Sequence, residues 1–340
     1  MGSATVEYAL SISVSLLPVF LFLAVLIFLD SYKLVKLRDV IITILIGCGV
    51  AYVAFFVNRF ALDSTAIDIR LYARYGAPLT EEVLKAVYVI FLLKAHRAGF
   101  MVDAAIYGFA VGAGFAFLEN IYYLQSLQES SLFVWIIRGF GTAVMHGGTT
   151  SIFATMAKNF ADAKGSEPLS VFLPGLATAV AIHSFFNHFF LPPLISAVSV
   201  LLSLPLIMLL VFQQSERATR GWLGVGFDSD ADLLKMIITG DVAKTRIGEY
   251  LQTLQTRFRG ETVADLLCYL RIYLELSIQA KGILMMRQAG FDVPPDPDIK
   301  AKFEELEFLR KSIGITGQIA MSPFVRTKGR DLWQLQMLQK

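Results

Sequence analysis

The chain is poor in cysteine, histidine and charge. It has two cysteines and four histidines among 340 residues, and 17% of its residues are charged, whereas soluble proteins average about 25%. Two cysteines, one in an apolar run and one in a charged region, imply no disulfide framework. The low charge excludes a chain that is water-soluble along its whole length, and a hydrophobic content of 55% excludes disorder. A net charge of +2 gives no reason to expect a nucleic-acid partner.

The charge that is present is concentrated in the last third of the chain. Residues 1–213 contain 24 Asp, Glu, Lys and Arg, and residues 214–340 contain 34. We therefore expect a membrane domain over 1–213 and a soluble, charged, helical domain over 214–340. In the second domain, apolar spacing predicts helices from Asp230, over 264–281 and over 299–312, with a break at 294–297. No glycine-rich phosphate motif, metal-ligand spacing or repeat gives this domain a function.

The first domain contains apolar stretches suited to membrane helices, which need about 20 residues each. We predict seven spans, at about 9–29, 40–57, 78–94, 101–124, 134–157, 169–191 and 194–213. The loops on one side hold nine Lys and Arg and the opposite loops hold three, and positive residues favour the cytoplasm. The prediction is an all-α polytopic membrane protein with its amino terminus outside and residues 214–340 in the cytosol, which suits a bacterial inner membrane.

Polar residues occur inside these predicted spans, where ionisable groups are costly and usually face a bundle interior or cavity. They are Glu81, Glu82 and Lys85 in the third span, Glu119 in the fourth, His146 in the fifth, and His183 and Asn187 in the sixth. At 1.5 Å per residue, Glu119 lies roughly 8 Å from the outer end of its span, and His146 and His183 lie roughly 12 Å from theirs. Four helices therefore bring acids, an amide and imidazoles to one layer in the outer half of the bilayer.

The spacing of these residues indicates their geometry. Glu81 and Lys85 are four apart, so they share a helix face and can pair, whereas Glu82 points elsewhere. His183 and Asn187 also share a face, so Asn187 could orient the imidazole or donate to an oxyanion.

Two kinds of hydrolytic chemistry suit this set. Two histidines with a carboxylate can hold a catalytic Zn²⁺ that keeps a position open for water. The same side chains can also activate water and stabilise an oxyanion without a metal. Both mechanisms hydrolyse peptide bonds, and the sequence leaves the choice open.

Two other classes of function use buried Glu and His. An ion- or proton-coupled transporter would need them as a relay, but they lie in one half of the membrane and no inverted repeat is detectable. A non-catalytic membrane scaffold has no need for the complete set of polar residues. We therefore place both below a peptidase.

Four short patterns follow one another on successive spans. Residues 81–85 read E-E-x-x-K, residues 115–120 read F-x-x-x-E-N, His146 follows, and residues 183–187 read H-x-x-x-N. Together they resemble the PrsW family of intramembrane proteases, which is related to the type II CAAX prenyl endopeptidases and to bacteriocin-processing membrane proteins. The resemblance covers about residues 70–190.

The resemblance implies a Glu- and His-dependent peptidase that cleaves membrane-anchored protein substrates, and possible site-1 cleavage of an anti-sigma factor on its outer side. It implies that Glu81 or Glu82 activates water together with His146. His183 and Asn187 would bind metal or hold the oxyanion, and Glu119 would be a ligand or a positioning group. The metal ligands expected from it are His146, His183 and Glu119, with Zn²⁺ as the expected ion and a metal-free mechanism still open.

Overall fold

The structure of the protein is a computed structural model that describes residues 2–126, 131–164, 168–291, 293, 296–325 and 330–338. Within these ranges every regular element is a helix, so the all-α class predicted from the sequence is confirmed. The chain divides into two compact units, Met1–Ser215 and Glu216–Lys340. This division lies two residues from the boundary expected from the charge distribution.

The first unit is a bundle of long helices. Its α-helices are α1 (Gly2–Phe28), α2 (Leu37–Ser64), α3 (Ile69–Leu71), α4 (Ala77–Lys94), α5 (Met101–Ser126), α6 (Leu132–Ile137), α7 (Ala143–Lys164), α8 (Leu173–Asn187) and α9 (Pro193–Thr239), the last of which extends past the unit boundary. Two π-helical turns, Tyr72–Gly76 and Arg138–Thr142, lead directly into α4 and α7. A 3₁₀ turn, Leu169–Val171, precedes α8.

Helix α5 is the buried centre of this unit, with every residue from Met101 to Ala116 buried. It packs on α1, α2 and α7. A Cβ atom at Gly112 would overlap the backbone carbonyl of His146 on α7, and one at Gly114 would overlap that of Ile44 on α2. Small residues let membrane helices approach this closely. The glycines of α5 therefore set the distance at which α7 presents its side chains.

Five helices are long and apolar enough to cross a membrane, counted over the described residues. They are Ala9–Phe28, Leu37–Ser64, Met101–Ser126, Leu169–Asn187 and Pro193–Thr239. These support an integral membrane protein. Helices also occupy the third and fifth predicted spans, but the apolar sequence of α4 contains the charged residues Glu81, Glu82 and Lys85, and α7 is rich in Gly and Thr. The count of seven spans and the orientation remain predictions.

In the described part of the second unit, every regular element is a helix. It contains the end of α9, a 3₁₀ turn at Asp241–Lys244, α10 (Arg246–Gln255), α11 (Gly260–Gln288), α12 (Ile299–Met321) and α13 (Arg330–Leu338). The predicted helices over 264–281 and 299–312 lie within α11 and α12. Helix α12 is kinked at Gly314, whose φ is 61°. Pro294 and Pro295, in the predicted break, lie outside the described residues.

One predicted boundary in this unit was wrong. The sequence indicated a helix beginning at Asp230, but α9 runs through this position to Thr239. Asp230 does not cap a helix. Its carboxylate lies 2.5 Å from Nζ of the buried Lys281 and accepts a hydrogen bond from Ser277. The acidic residue that resembled a cap is half of an ion pair with α11.

Candidate active site

The polar residues singled out in the sequence lie on four helices that pack on one another. Helix α4 contacts α5, α7 and α8, and α7 also packs on α5 and α8. These contacts bring the acids of α4 and α5 to the imidazoles of α7 and α8. His146 and His183 are both buried, and their rings meet edge to face with centroids 4.8 Å apart.

Glu82 is the most tightly held of the acids, with only 2% of its surface exposed. Its Oε1 atom lies 2.5 Å from Nζ of Lys85, 2.9 Å from Nδ1 of His183 and 3.1 Å from Oγ1 of Thr149. The expected pairing of Lys85 with Glu81 was therefore wrong. Positions three and four apart are both helix neighbours, and Thr149 and His183 from other helices hold Glu82 at the position that Lys85 reaches.

His183 presents one nitrogen to Glu82 and the other to Glu81. A carboxylate accepts hydrogen bonds, so Nδ1 of a neutral His183 carries the ring proton and donates it to Glu82. The Nε2 lone pair is then free, and it faces Oε2 of Glu81 at 3.9 Å. A histidine anchored through Nδ1 by a carboxylate is typical of metal ligands and of histidines that accept a proton.

His146 has the opposite arrangement. Its Nδ1 lies 3.1 Å from Nζ of Lys85, and its Nε2 lies 2.9 Å from Oε2 of Glu119. A lysine ammonium only donates, so Nδ1 accepts and a neutral ring carries its proton on Nε2, toward Glu119. The two imidazoles of the cluster are therefore held in different tautomers.

Glu119 lies between His146 and Arg138. Its Oε2 is buried and lies 2.9 Å from Nε2 of His146, but the two groups are not well aligned for a hydrogen bond. Its Oε1 lies 3.4 Å from Nη2 of Arg138, whose guanidinium lies 3.8 Å from the ring centroid of Tyr123. Arg138 also donates from Nε to Oδ1 of Asn120. All three of these contacts join Arg138 to α5.

A metal ion fits this cluster. Ligand atoms of Glu81, His146 and His183 all lie within 4.8 Å of one another, and two imidazoles with a carboxylate are a common set for catalytic zinc. Glu82 supplies the second hydrogen-bonded contact that such a histidine needs, and Oε2 of Glu119 lies 2.9 Å from Nε2 of His146. This set contains Glu81 where the sequence-based set had Glu119.

Metal binding by His146 carries one condition. Coordination through Nε2 requires the ring proton to move to Nδ1, where the ammonium of Lys85 now donates. Lys85 must then move away from Nδ1 of His146.

Asn187 is the predicted residue that the structure does not bring to the cluster. Its Nδ2 donates to the carbonyl of Ala73 at 3.0 Å, and Ser184 donates to the carbonyl of Arg74 at 2.6 Å. A residue four positions after His183 lies about 6 Å further along the helix. Asn187 therefore binds the carboxyl-terminal end of α8 to the π turn Tyr72–Gly76, away from His183.

Three contributors were missed by the sequence reasoning. Thr149 binds Glu82, Asn58 donates from Nδ2 to Oε1 of Glu81 at 3.1 Å, and the hydroxyl of Tyr72 donates to Oδ1 of Asn58 at 2.8 Å. The signal available for Asn58 was an amide at the end of a long apolar run. Tyr72 carried no such signal, because an aromatic residue near a membrane boundary is ordinary.

Comparison with known proteins gives one match. A family model described as PrsW family intramembrane metalloprotease matches residues 36–212, just over half of the chain. The matched range contains the whole polar cluster and omits α1, the part of α9 after residue 212, and α10 to α13. No curated protein and no solved structure gives a significant match.

Proposed function

This chain belongs to the PrsW family of intramembrane metalloproteases, and on that premise we propose that it hydrolyses peptide bonds of membrane-anchored proteins at the cluster around Glu81, His146 and His183. The observation that carries this proposal is that three potential metal ligands from three helices lie within 4.8 Å of one another. Two further acids surround the same two histidines.

Glu81, His146 and His183 are the residues that would hold Zn²⁺. When bound, the ion would activate a water molecule as nucleophile and polarise the scissile carbonyl. Glu82 keeps His183 in place by accepting a hydrogen bond from its Nδ1, and the adjacent Lys85 balances the charge of Glu82. Glu82 is therefore a positioning residue in this proposal, and Glu81 is the acid of the pair that faces the reaction.

Glu119 is the proposed general base. Its Oε2 lies 2.9 Å from Nε2 of His146 without a well-aligned hydrogen bond in the described part of the chain, and in this proposal that atom takes a proton from the attacking water. The same proton then passes to the amine that leaves. Arg138, near the other oxygen, favours the charged carboxylate before the proton is taken up and after it is released.

The substrate and the side of cleavage follow from the predicted topology. With the amino terminus outside, the cluster lies in the outer half of the bilayer. The proposed substrate is a membrane-anchored protein cleaved near its outer side, of which an anti-sigma factor-like protein is one example. We propose a bacterial inner membrane as the location.

The test uses the full-length protein in detergent with fluorescently labelled casein as an unfolded substrate. We expect Glu81→Gln, His146→Ala and His183→Ala to lower kcat/KM by about 100-fold or more, since supporting residues around a metal alone contribute 10- to 100-fold. The matched control is His188→Ala, because His188 contacts Tyr75 and Phe190 instead of the cluster. Bound zinc is measured on the same samples.

Three outcomes are informative. Stoichiometric zinc in the wild type and in His188→Ala, reduced in the three site variants together with cleavage, supports the metalloprotease. Cleavage that depends on the three residues in a protein free of metal replaces it with metal-free water activation. Undiminished cleavage in all three variants contradicts the proposed site.

A further inference from the structure

A chain of two hydrogen bonds leads from the π turn before α4 to Glu81. The hydroxyl of Tyr72 donates to Oδ1 of Asn58 at 2.8 Å, and Nδ2 of Asn58 donates to Oε1 of Glu81 at 3.1 Å. Tyr72 is buried and Asn58 is half-buried on α2. An amide has distinct donor and acceptor ends, so the bond to Tyr72 fixes which end faces Glu81.

Glu81 depends on the hydrogen bond from Asn58 for its orientation, whereas the adjacent Glu82 has several other partners. Oε1 of Glu82 has three polar partners, whereas Asn58 gives the one hydrogen bond to Glu81 found among the described residues. With Oε1 held by Asn58, the other oxygen of Glu81 is turned toward Nε2 of His183 at 3.9 Å. Without it, Glu81 is free to rotate about its side-chain torsions.

The local backbone is arranged to accommodate Tyr72. A Cβ atom at Gly76 would lie 2.5 Å from Cδ2 and 2.6 Å from Cε2 of the Tyr72 ring. The ring therefore packs directly on a residue without a side chain, inside the same π turn. This packing is a second observation, independent of the hydrogen bonds, that fixes the position of the ring that carries the hydroxyl.

We propose that Asn58 and Tyr72 are positioning residues of the protease site, acting in series. Tyr72 orients the amide of Asn58, and Asn58 holds the Glu81 carboxylate with Oε2 directed at His183. This inference rests on the proposed function for its kinetic consequence. Its structural part, the orientation of Glu81, has a readout of its own in metal affinity.

The experiment uses the full-length protein and three variants: Asn58→Ala, Tyr72→Phe and the double variant that combines these two substitutions. Tyr75→Phe is the control. Tyr75 lies in the same π turn but is exposed, so it is the matched control for loss of a hydroxyl. We expect Asn58→Ala to lower kcat on labelled casein by about 10-fold and to leave KM within about twofold. The affinity for Zn²⁺, measured by competition with a chromophoric chelator, should fall by about 10-fold in parallel.

The double variant tests the order of the two residues. If Tyr72 acts only through Asn58, the double variant is no worse than Asn58→Ala alone, and Tyr72→Phe lies between that variant and the wild type. Additive effects of the two substitutions would overturn the serial arrangement. Wild-type kcat and Zn²⁺ affinity in Asn58→Ala would overturn the proposal as a whole.

Failure of the proposed function gives a different pattern. A wild-type protein that binds Zn²⁺ but does not cleave casein contradicts the protease assignment under the assay conditions. The Zn²⁺ affinities of the same variants then decide the positioning role by themselves. Because Tyr72→Phe removes one oxygen atom and keeps the ring, it provides a folded variant if Asn58→Ala is unstable.

Discussion

Nδ1 of His183 lies 2.9 Å from Oε1 of Glu82, although the two residues are 101 positions apart. The same oxygen lies 2.5 Å from Nζ of Lys85. One carboxylate oxygen thus links an imidazole of α8 to a buried ammonium of α4. In this arrangement Glu82 sets the orientation of His183 and leaves its other nitrogen available.

Glu82→Gln should separate positioning from direct participation. The amide keeps the shape of the side chain but loses the charge that holds the His183 proton at Nδ1. We expect kcat on labelled casein to fall by 10- to 100-fold with retention of part of the bound zinc, as for other residues that support a metal ligand. The control is Glu216→Gln, whose carboxylate pairs with Arg220 in the other unit. Complete loss of activity, as severe as in His183→Ala, would argue that Glu82 itself contacts the reacting atoms.

Substitutions of Lys85 and Glu82 should have strongly non-additive effects on the free energy of unfolding. Both side chains are almost fully buried, so removal of either charge leaves the other uncompensated. We expect Lys85→Met to lower the free energy of unfolding by about 3–5 kcal/mol. The double variant with Glu82→Gln should lose at least about 1 kcal/mol less than the sum of the single losses. Unfolding in mixed micelles with increasing SDS measures these values.

The control for this cycle is Lys94→Met, at the exposed end of the same helix. We expect it to change the free energy of unfolding by less than about 0.5 kcal/mol. Strict additivity of Lys85→Met and Glu82→Gln would contradict the ion pair.

Gly112→Ala should disturb the site through packing alone. The added Cβ atom would lie 2.7 Å from Cα of Gly147 and would overlap the carbonyl of His146, so α5 and α7 must move apart. Overpacking of this kind costs about 1–3 kcal/mol. We expect a lower thermal midpoint and a loss of casein cleavage, because His146 moves with its backbone. Gly49→Ala is the matched control, since a Cβ there meets no atom within 4 Å.

A surface network in the second unit should make its stability depend on pH. Partial burial raises the pKa of Glu275, but hydrogen bonds from Arg271 and Lys302 together bring that pKa below its ordinary value. A carboxylate with a lowered pKa stabilises the folded state above the unfolded pKa, and this contribution is lost as the pH falls through the folded pKa. Glu275→Gln should therefore lower the thermal midpoint of the second unit at pH 7.

The difference between Glu275→Gln and the wild type should shrink below about pH 4.3, the ordinary value for Glu. Glu304→Gln is the control, because its pair with Lys300 is exposed and spans 4.0 Å. A difference that stays constant between pH 7 and pH 3 would mean that the charge of Glu275 contributes nothing.

The sequence indicated which polar residues gather in the candidate site, but not which of them pair with one another. Charged and imidazole groups in a membrane are constrained to meet one another, and this constraint is visible in a single chain. The sequence did not show whether Lys85 pairs with Glu81 or with Glu82. Lys85 pairs with Glu82 because Thr149 and His183 arrive from α7 and α8, and no spacing within α4 encodes that.

Contacts with the backbone were equally hidden. Asn187 bonds the carbonyl of Ala73, and Asn120 donates to the carbonyl of Ser15 on α1. A carbonyl is present at every residue, so the sequence has no feature that marks these as partners. The contacts of Arg138 with Asn120 and Glu119 could be identified only from the structure.

The π turn Tyr72–Gly76 gives up regular α-helical hydrogen bonds, and the carbonyls that it leaves available bind the neighbouring helix α8. An extra residue in a helical turn displaces backbone carbonyls from their usual partners four residues on, and here the carbonyls of Ala73 and Arg74 accept hydrogen bonds from Asn187 and Ser184. Deleting one residue from this turn would restore an ordinary α-helix and draw those carbonyls back into it. The shortened protein would have a more regular helix before α4 and an unfastened end on α8, the helix that carries His183.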